Sequence, residues 1–184
     1  RQRLLNRGIK PAQFQIINAA VCPKGRGLVP FYQFSRRLIE DFPLLDLVKM
    51  HEFSSLSRES IREGWVPTHG NPRYNAGNYS MSQWFSLHYY VERVPVRCLT
   101  PASLMREAGT KASDVDVLIV DAEGFDLKIV PKFVDLEGFA PAWLQFEGWS
   151  GRNNTQLLKP LVRRLMDAGY AVHPFEHDFV GVKQ

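Results

Sequence analysis

The apolar pattern is densest between Val115 and Val120, where Asp116 is the only polar side chain. A continuous apolar run bounded by turn signals predicts a strand covered on both faces at a central position of a parallel sheet. It leads into Asp121, Ala122, Glu123 and Gly124, and the glycine permits a sharp exit from the strand. The stretch from Ala142 to Glu147 predicts the next strand. Tyr170 to Pro174 and Phe179 to Lys183 read as a closing antiparallel pair. Between these runs the period changes. Leu158, Leu161, Val162, Leu165 and Met166 share one helical face between Thr155 and Gly169, with Pro160 near the start. A shorter helix is predicted over 127 to 134, interrupted by Pro131. A third is punctuated at both ends: Thr100 suits the N-cap, Pro101 the first turn and Gly109 the stop.

The first half is less regular. Phe14 to Val21 predicts a strand, Lys24 to Gly27 a turn and Leu28 to Phe34 a returning strand, together a hairpin. The sequence Gly25-Arg26-Gly27 lies between apolar runs, lacks a third glycine and opens no helix, so it reads as that turn and not as a phosphate-binding loop. Helical runs are predicted at 35 to 41, ended by Pro43, and at 55 to 63. From Trp65 to Ser82 the chain turns to Pro, Gly, Asn and aromatic residues, a long loop of the kind that lines binding sites. Arg3 to Asn6, with Gly8 after it, reads as a helix end.

Composition narrows the class. A chain of 184 residues with 45% hydrophobic and 23% charged residues is one domain's worth of ordinary globular sequence. No apolar run approaches the ~20 residues that span a bilayer, so no membrane is expected and the cytoplasm is the default location. Cys22 and Cys98 are too few for a disulfide framework and read as buried thiols. The net charge is +4, and residues 1 to 40 set Arg1, Arg3, Arg7, Lys10, Lys24, Arg26, Arg36 and Arg37 against the single acid Glu40. That imbalance would suit a phosphate-bearing partner, but aromatics are not interleaved with it as on a nucleic-acid platform.

Open parallel sheets bind ligands beyond the carboxyl ends of their strands, which is where Asp121, Glu123 and Glu147 are predicted to emerge. Three acids at neighbouring strand ends fit proton transfer, and as oxygen ligands they also fit Mg²⁺, although no histidine accompanies them in sequence. His173 and His177 are separated by Pro174 in a strand-like context and read as ordinary surface or core residues. His69 and His88, near the aromatic loop, are lesser acid-base candidates.

The run Val120-Asp121-Ala122-Glu123-Gly124-Phe125-Asp126 resembles the Ile-Asp-Val-Glu-Gly-x-Glu pattern of the FkbM family of S-adenosylmethionine-dependent methyltransferases. Val94 to Thr100 resembles the family's strand before a short helix, Pro141 to Glu147 its next strand ending in Glu, and Ile17 to Val21 its third-strand segment. The likeness is best from about 94 to 184. Two residues depart from it: Ile119 stands where the family often has Lys, and Asp126 is shorter than its final Glu. The glycine-rich turn of the first strand and the ribose-holding acid of the second do not appear.

The resemblance implies an α/β fold of the class I methyltransferase type, Rossmann-like and doubly wound, mainly parallel with an antiparallel C-terminal edge and truncated at its front. It implies S-adenosylmethionine as cofactor and a hydroxyl acceptor on a small molecule or glycan. Asn18, Ala19, Ala20 and Asp121 would lie beside the cofactor; Asp121, Glu123 and Glu147 would serve catalysis by orienting or deprotonating the acceptor. No resident metal is required. Without the front motifs, the chain alone is expected to bind the cofactor weakly and to be inactive. Two other classes remain open: a non-catalytic methyltransferase-like binding or scaffold module, and a basic module that touches nucleic acid or phosphorylated sugars.

Overall fold

The computed structural model describes residues 14–25, 27–42, 54–58, 61, 87–122, 124–148 and 155–184. The helix end at Arg3 to Asn6, the aromatic loop from 65 to 82 with His69, residues 59, 60, 62 and 63 of the run from 55 to 63, and Glu123 lie outside the described residues, and Ser55 at the start of that run bridges Tyr32 instead of opening a helix. The elements are β1 (Ala20–Val21), β2 (Gly27–Phe34), α1 (Arg37–Asp41), a 3₁₀ turn at Leu87–Tyr90, β3 (Val91–Leu99), α2 (Pro101–Ala108), β4 (Val117–Val120), α3 (Asp126–Val134), β5 (Trp143–Glu147), α4 (Thr155–Asp167), β6 (Tyr170–Phe175) and β7 (Asp178–Lys183).

The chain is mixed α/β, but among the described residues the strands form two sheets and not one doubly wound sheet. The first has the order β1-β3-β2 and the second β4-β5-β7-β6. Only β1–β3 and β4–β5 are parallel; β2–β3, β5–β7 and β6–β7 are antiparallel, so the expected parallel majority is not found. The antiparallel C-terminal edge does form. Its closing pair packs in an order different from the sequence, because β7 lies between β5 and β6.

The N-terminal hairpin is also corrected. β3 inserts between the two strands expected to pair, taking β1 on one edge in parallel and all eight residues of β2 on the other. A nine-residue strand offers a longer ladder than the short turn can, and only Ala20 and Val21 of the segment predicted from Phe14 join it. Cys22 follows directly, with its N–H donating to the Leu99 carbonyl, and Cys98 lies on the neighbouring strand. The two cysteines are buried as expected, but they are disulfide-bonded, with Cα atoms 5.9 Å apart, within the span a disulfide bridges.

Local signals were followed closely at α2. Thr100 Oγ1 accepts from the Ser103 N–H at 3.2 Å, Pro101 occupies the first turn, and Gly109 ends the helix at φ 67°. Pro131 and Pro160 lie within α3 and α4 without ending them. Packing of these two helices on one face of the second sheet compensates the lost backbone bonds. There Leu127 and Val130 of α3 and Leu161 and Leu165 of α4 meet Leu144, Phe146 and Tyr170 in the main core cluster.

The opposite face is barer, and β4 is not the centrally covered strand its composition predicts. It occupies the sheet's edge, with Val117 55% and Ile119 63% exposed. Registers Val117↔Trp143 and Trp143↔Val182 place these side chains in one row, and Trp143 and Val182 are exposed as well. Among the described residues, no helix is long and apolar enough to cross a membrane.

Candidate functional site

Strands β4 and β5 run parallel in register Val120↔Phe146, so continuing each by one residue brings Asp121 opposite Glu147. Glu147 is in turn paired with Asp178 on β7. Side chains of directly paired residues share a sheet face. Asp121, Glu147 and Asp178 therefore form a row of carboxylates across three strands, at the carboxyl ends of the parallel pair. Gln145 Nε2 donates to Asp178 Oδ2 at 2.6 Å, fixing one end of the row.

A fourth carboxylate supports the row from the side. Gly124 turns the chain out of β4 at φ 92°, and α3 then starts at Asp126, which is 0% exposed. Asp126 Oδ2 accepts from the Ala122 N–H at 3.2 Å, and its Oδ1 accepts from the Glu147 N–H at 3.3 Å. One side chain thus ties the end of β4 to the end of β5. Burial pushes the Asp126 carboxyl above its ordinary range, against the lowering effect of these backbone donors.

Glu147 is shifted further. Desolvation, joined by the charges of Asp126, Asp121 and Asp178, pushes it up to about 7, with His177 opposing. Among the described residues no donor reaches its buried Oε2. A carboxyl that gains and loses a proton near neutrality, with one oxygen unsatisfied, is equipped to take a proton from a bound group.

At the Asp121 end of the row lies a cavity of about 390 Å³. Ala19, Ala20 and Val21 from the first sheet line it, as do Ile119, Asp121 and Ala122 from the second. Phe31, Ser55 and Phe133 close further parts of the wall. Three of the four residues expected beside a cofactor, Ala19, Ala20 and Asp121, therefore meet at one hollow although about a hundred positions separate them in the chain. Asn18 is exposed and does not line it; the strand begins only at Ala20.

Of the three predicted catalytic acids, the structure brings Asp121 and Glu147 together, while Glu123 lies outside the described residues. Asp126 was missed as a site residue. Its sequence signal was its place at the final acid of the Ile-Asp-Val-Glu-Gly-x-Glu pattern, two residues beyond Gly124, and its burial follows from how α3 docks on β5. Among the described residues, no group of three His, Cys, Asp or Glu side chains converges to hold a metal ion. No protein-family model, curated protein or solved structure matches this chain.

Proposed function

We propose that the chain is part of an S-adenosylmethionine-dependent O-methyltransferase, acting on a hydroxyl of a small molecule or glycan. The observation that carries this reading is the cavity that gathers Ala19, Ala20 and Asp121, the last of these opposite Glu147 in the carboxylate row. Its residues fit such a cofactor: small side chains at 19 and 20 leave room for a flat ring, and Asp121 offers acceptors for hydroxyl or amino donors. The volume lies within the range of small-molecule sites.

The cofactor, when bound, supplies a methyl group already activated by its sulfonium. The chain's own residues then have two tasks, positioning and proton removal. Glu147 takes the proton of the acceptor hydroxyl, and its affinity near neutrality matches that task. Asp121 holds the ligand at the mouth of the cavity. The chain alone carries neither a glycine-rich turn nor a ribose-holding acid at a second strand, so its affinity is low and its turnover negligible.

Saturation-transfer NMR with millimolar S-adenosylmethionine detects weak binding. Transfer to the adenine protons is expected, weakened by Asp121→Asn and abolished by Ala20→Trp, which fills the cavity. Absence of transfer would sink the reading and favour the non-catalytic binding module. That second reading draws on the two separate sheets found among the described residues.

A further inference from the structure

We propose that Asp126 is a positioning residue that presents Glu147 as the proton acceptor of the site, acting through the backbone N–H of Glu147 and through its own charge. The inference deepens the proposed function and rests on its assignment of Glu147.

A carboxylate is costly to enclose, and Asp126 is wholly enclosed. Structural tying of two strand ends needs only acceptors, which an amide or hydroxyl also supplies. A charge adds what those groups lack. Asp126 bonds the backbone N–H of Glu147 itself at 3.3 Å, so its carboxylate is fixed at that residue, where its charge acts on the Glu147 side chain. Its second bond, from the Ala122 N–H, anchors it to the residue after Asp121. It also stands at the first position of α3, where the helix N-terminus stabilises a negative group. The enclosed charge is thus held by the backbone N–H groups of Ala122, Glu147 and Asp126 itself and by a helix end.

The groups facing Glu147 are Asp121 beyond β4, Asp126 from α3, Asp178 from β7 and His177 from the turn before β7. Among the three acids, Asp126 is the strongest influence on Glu147. Asp121 is exposed and Asp178 is already bonded by Gln145. Removing the Asp126 charge therefore changes the proton affinity of Glu147, whereas a merely structural residue would change only the order of the strand ends.

The test is a carboxyl ¹³C NMR titration of the chain with labelled Glu and Asp. In the unaltered protein the Glu147 and Asp126 curves are expected to share inflections, as coupled groups do. In Asp126→Asn the Glu147 midpoint is expected to fall by about one pH unit or more, while Asp126→Glu, which keeps the charge, restores most of the shift. An unchanged Glu147 midpoint in a folded Asp126→Asn protein would overturn the proposal. Should that variant fail to fold, independent single-step curves for the two groups in the unaltered protein would overturn it equally. Neither readout uses the cofactor, so failure of cofactor binding and failure of this inference are distinguishable.

Discussion

Between pH 4.5 and about 7, Glu147 holds in the fold a proton that it gives up in the unfolded chain. The folded protein binds more protons than the unfolded one in that window, so this group's contribution to stability is fully present below it and declines as pH rises through it. Asp126, whose carboxyl is also raised, acts with the same sign. Urea denaturation across this range should show the midpoint of unfolding falling with pH, and Glu147→Gln should flatten the slope and stabilise the protein at its alkaline end. An equally steep slope in the variant would place the effect elsewhere. The next residue, Gly148, poses a steric question. A Cβ there would enter the ring of Phe179, which stacks on Phe146 in the core. Gly148→Ala is expected to cost about 1–3 kcal/mol by overpacking, measurable as a lower urea midpoint with no change in the slope of the transition.

Among the elements, β1 is the smallest, two residues long, and its attachment to β3 is reinforced by the Cys22–Cys98 disulfide. The bridge spans a separation of 76 residues, and closing a loop of that size removes up to about 4.5 kcal/mol of unfolded-state freedom on the chain-entropy account. Reduction, or Cys22→Ser, should lower the thermal midpoint and speed amide exchange at Cys22, whose N–H bonds Leu99. An identical midpoint with and without reductant would show that the bridge contributes nothing. The elements also show how far sequence reaches. The α2 helix was legible because Thr100, Pro101 and Gly109 act within a turn of one another. The strand between Val117 and Val120 and the β6–β7 pair were legible from runs and turns. Partners were not: the insertion of β3 between β1 and β2, the Cys22–Cys98 pairing and the burial of Asp126 all depend on contacts between distant segments. Asp121 and Glu147 could be picked out as strand-end acids, but their alignment in one row needed the register.

At the scale of the whole molecule, two exposed features reinforce each other: the edge of β4, which no described strand covers, and the apolar side chains of Val117, Ile119, Trp143 and Val182 on the adjoining face. An unpaired apolar edge invites a second strand, and a nearby apolar face rewards its arrival. Concentration-dependent self-association is expected by light scattering, and Ile119→Lys should suppress it; a monomer at all concentrations would show that the edge is protected. The disulfide bears on the setting as well. A cytoplasm, the location expected from the sequence, keeps cysteines reduced, whereas an oxidising compartment closes such bridges. Thiol trapping during cell lysis should therefore report the compartment directly.

The placement of β7 between β5 and β6 also sets an order of events during synthesis. A chain made as far as the turn at Glu176 and His177 already holds β4, β5 and β6, yet β5 has only β4 beside it and β6 has no partner, because the strand that joins them has not been made. Until it is, one edge of β5 and both edges of β6 stand open, and the row containing Glu147 lacks Asp178. Making β7 thus completes the carboxylate row and joins β5 to β6 in a single step.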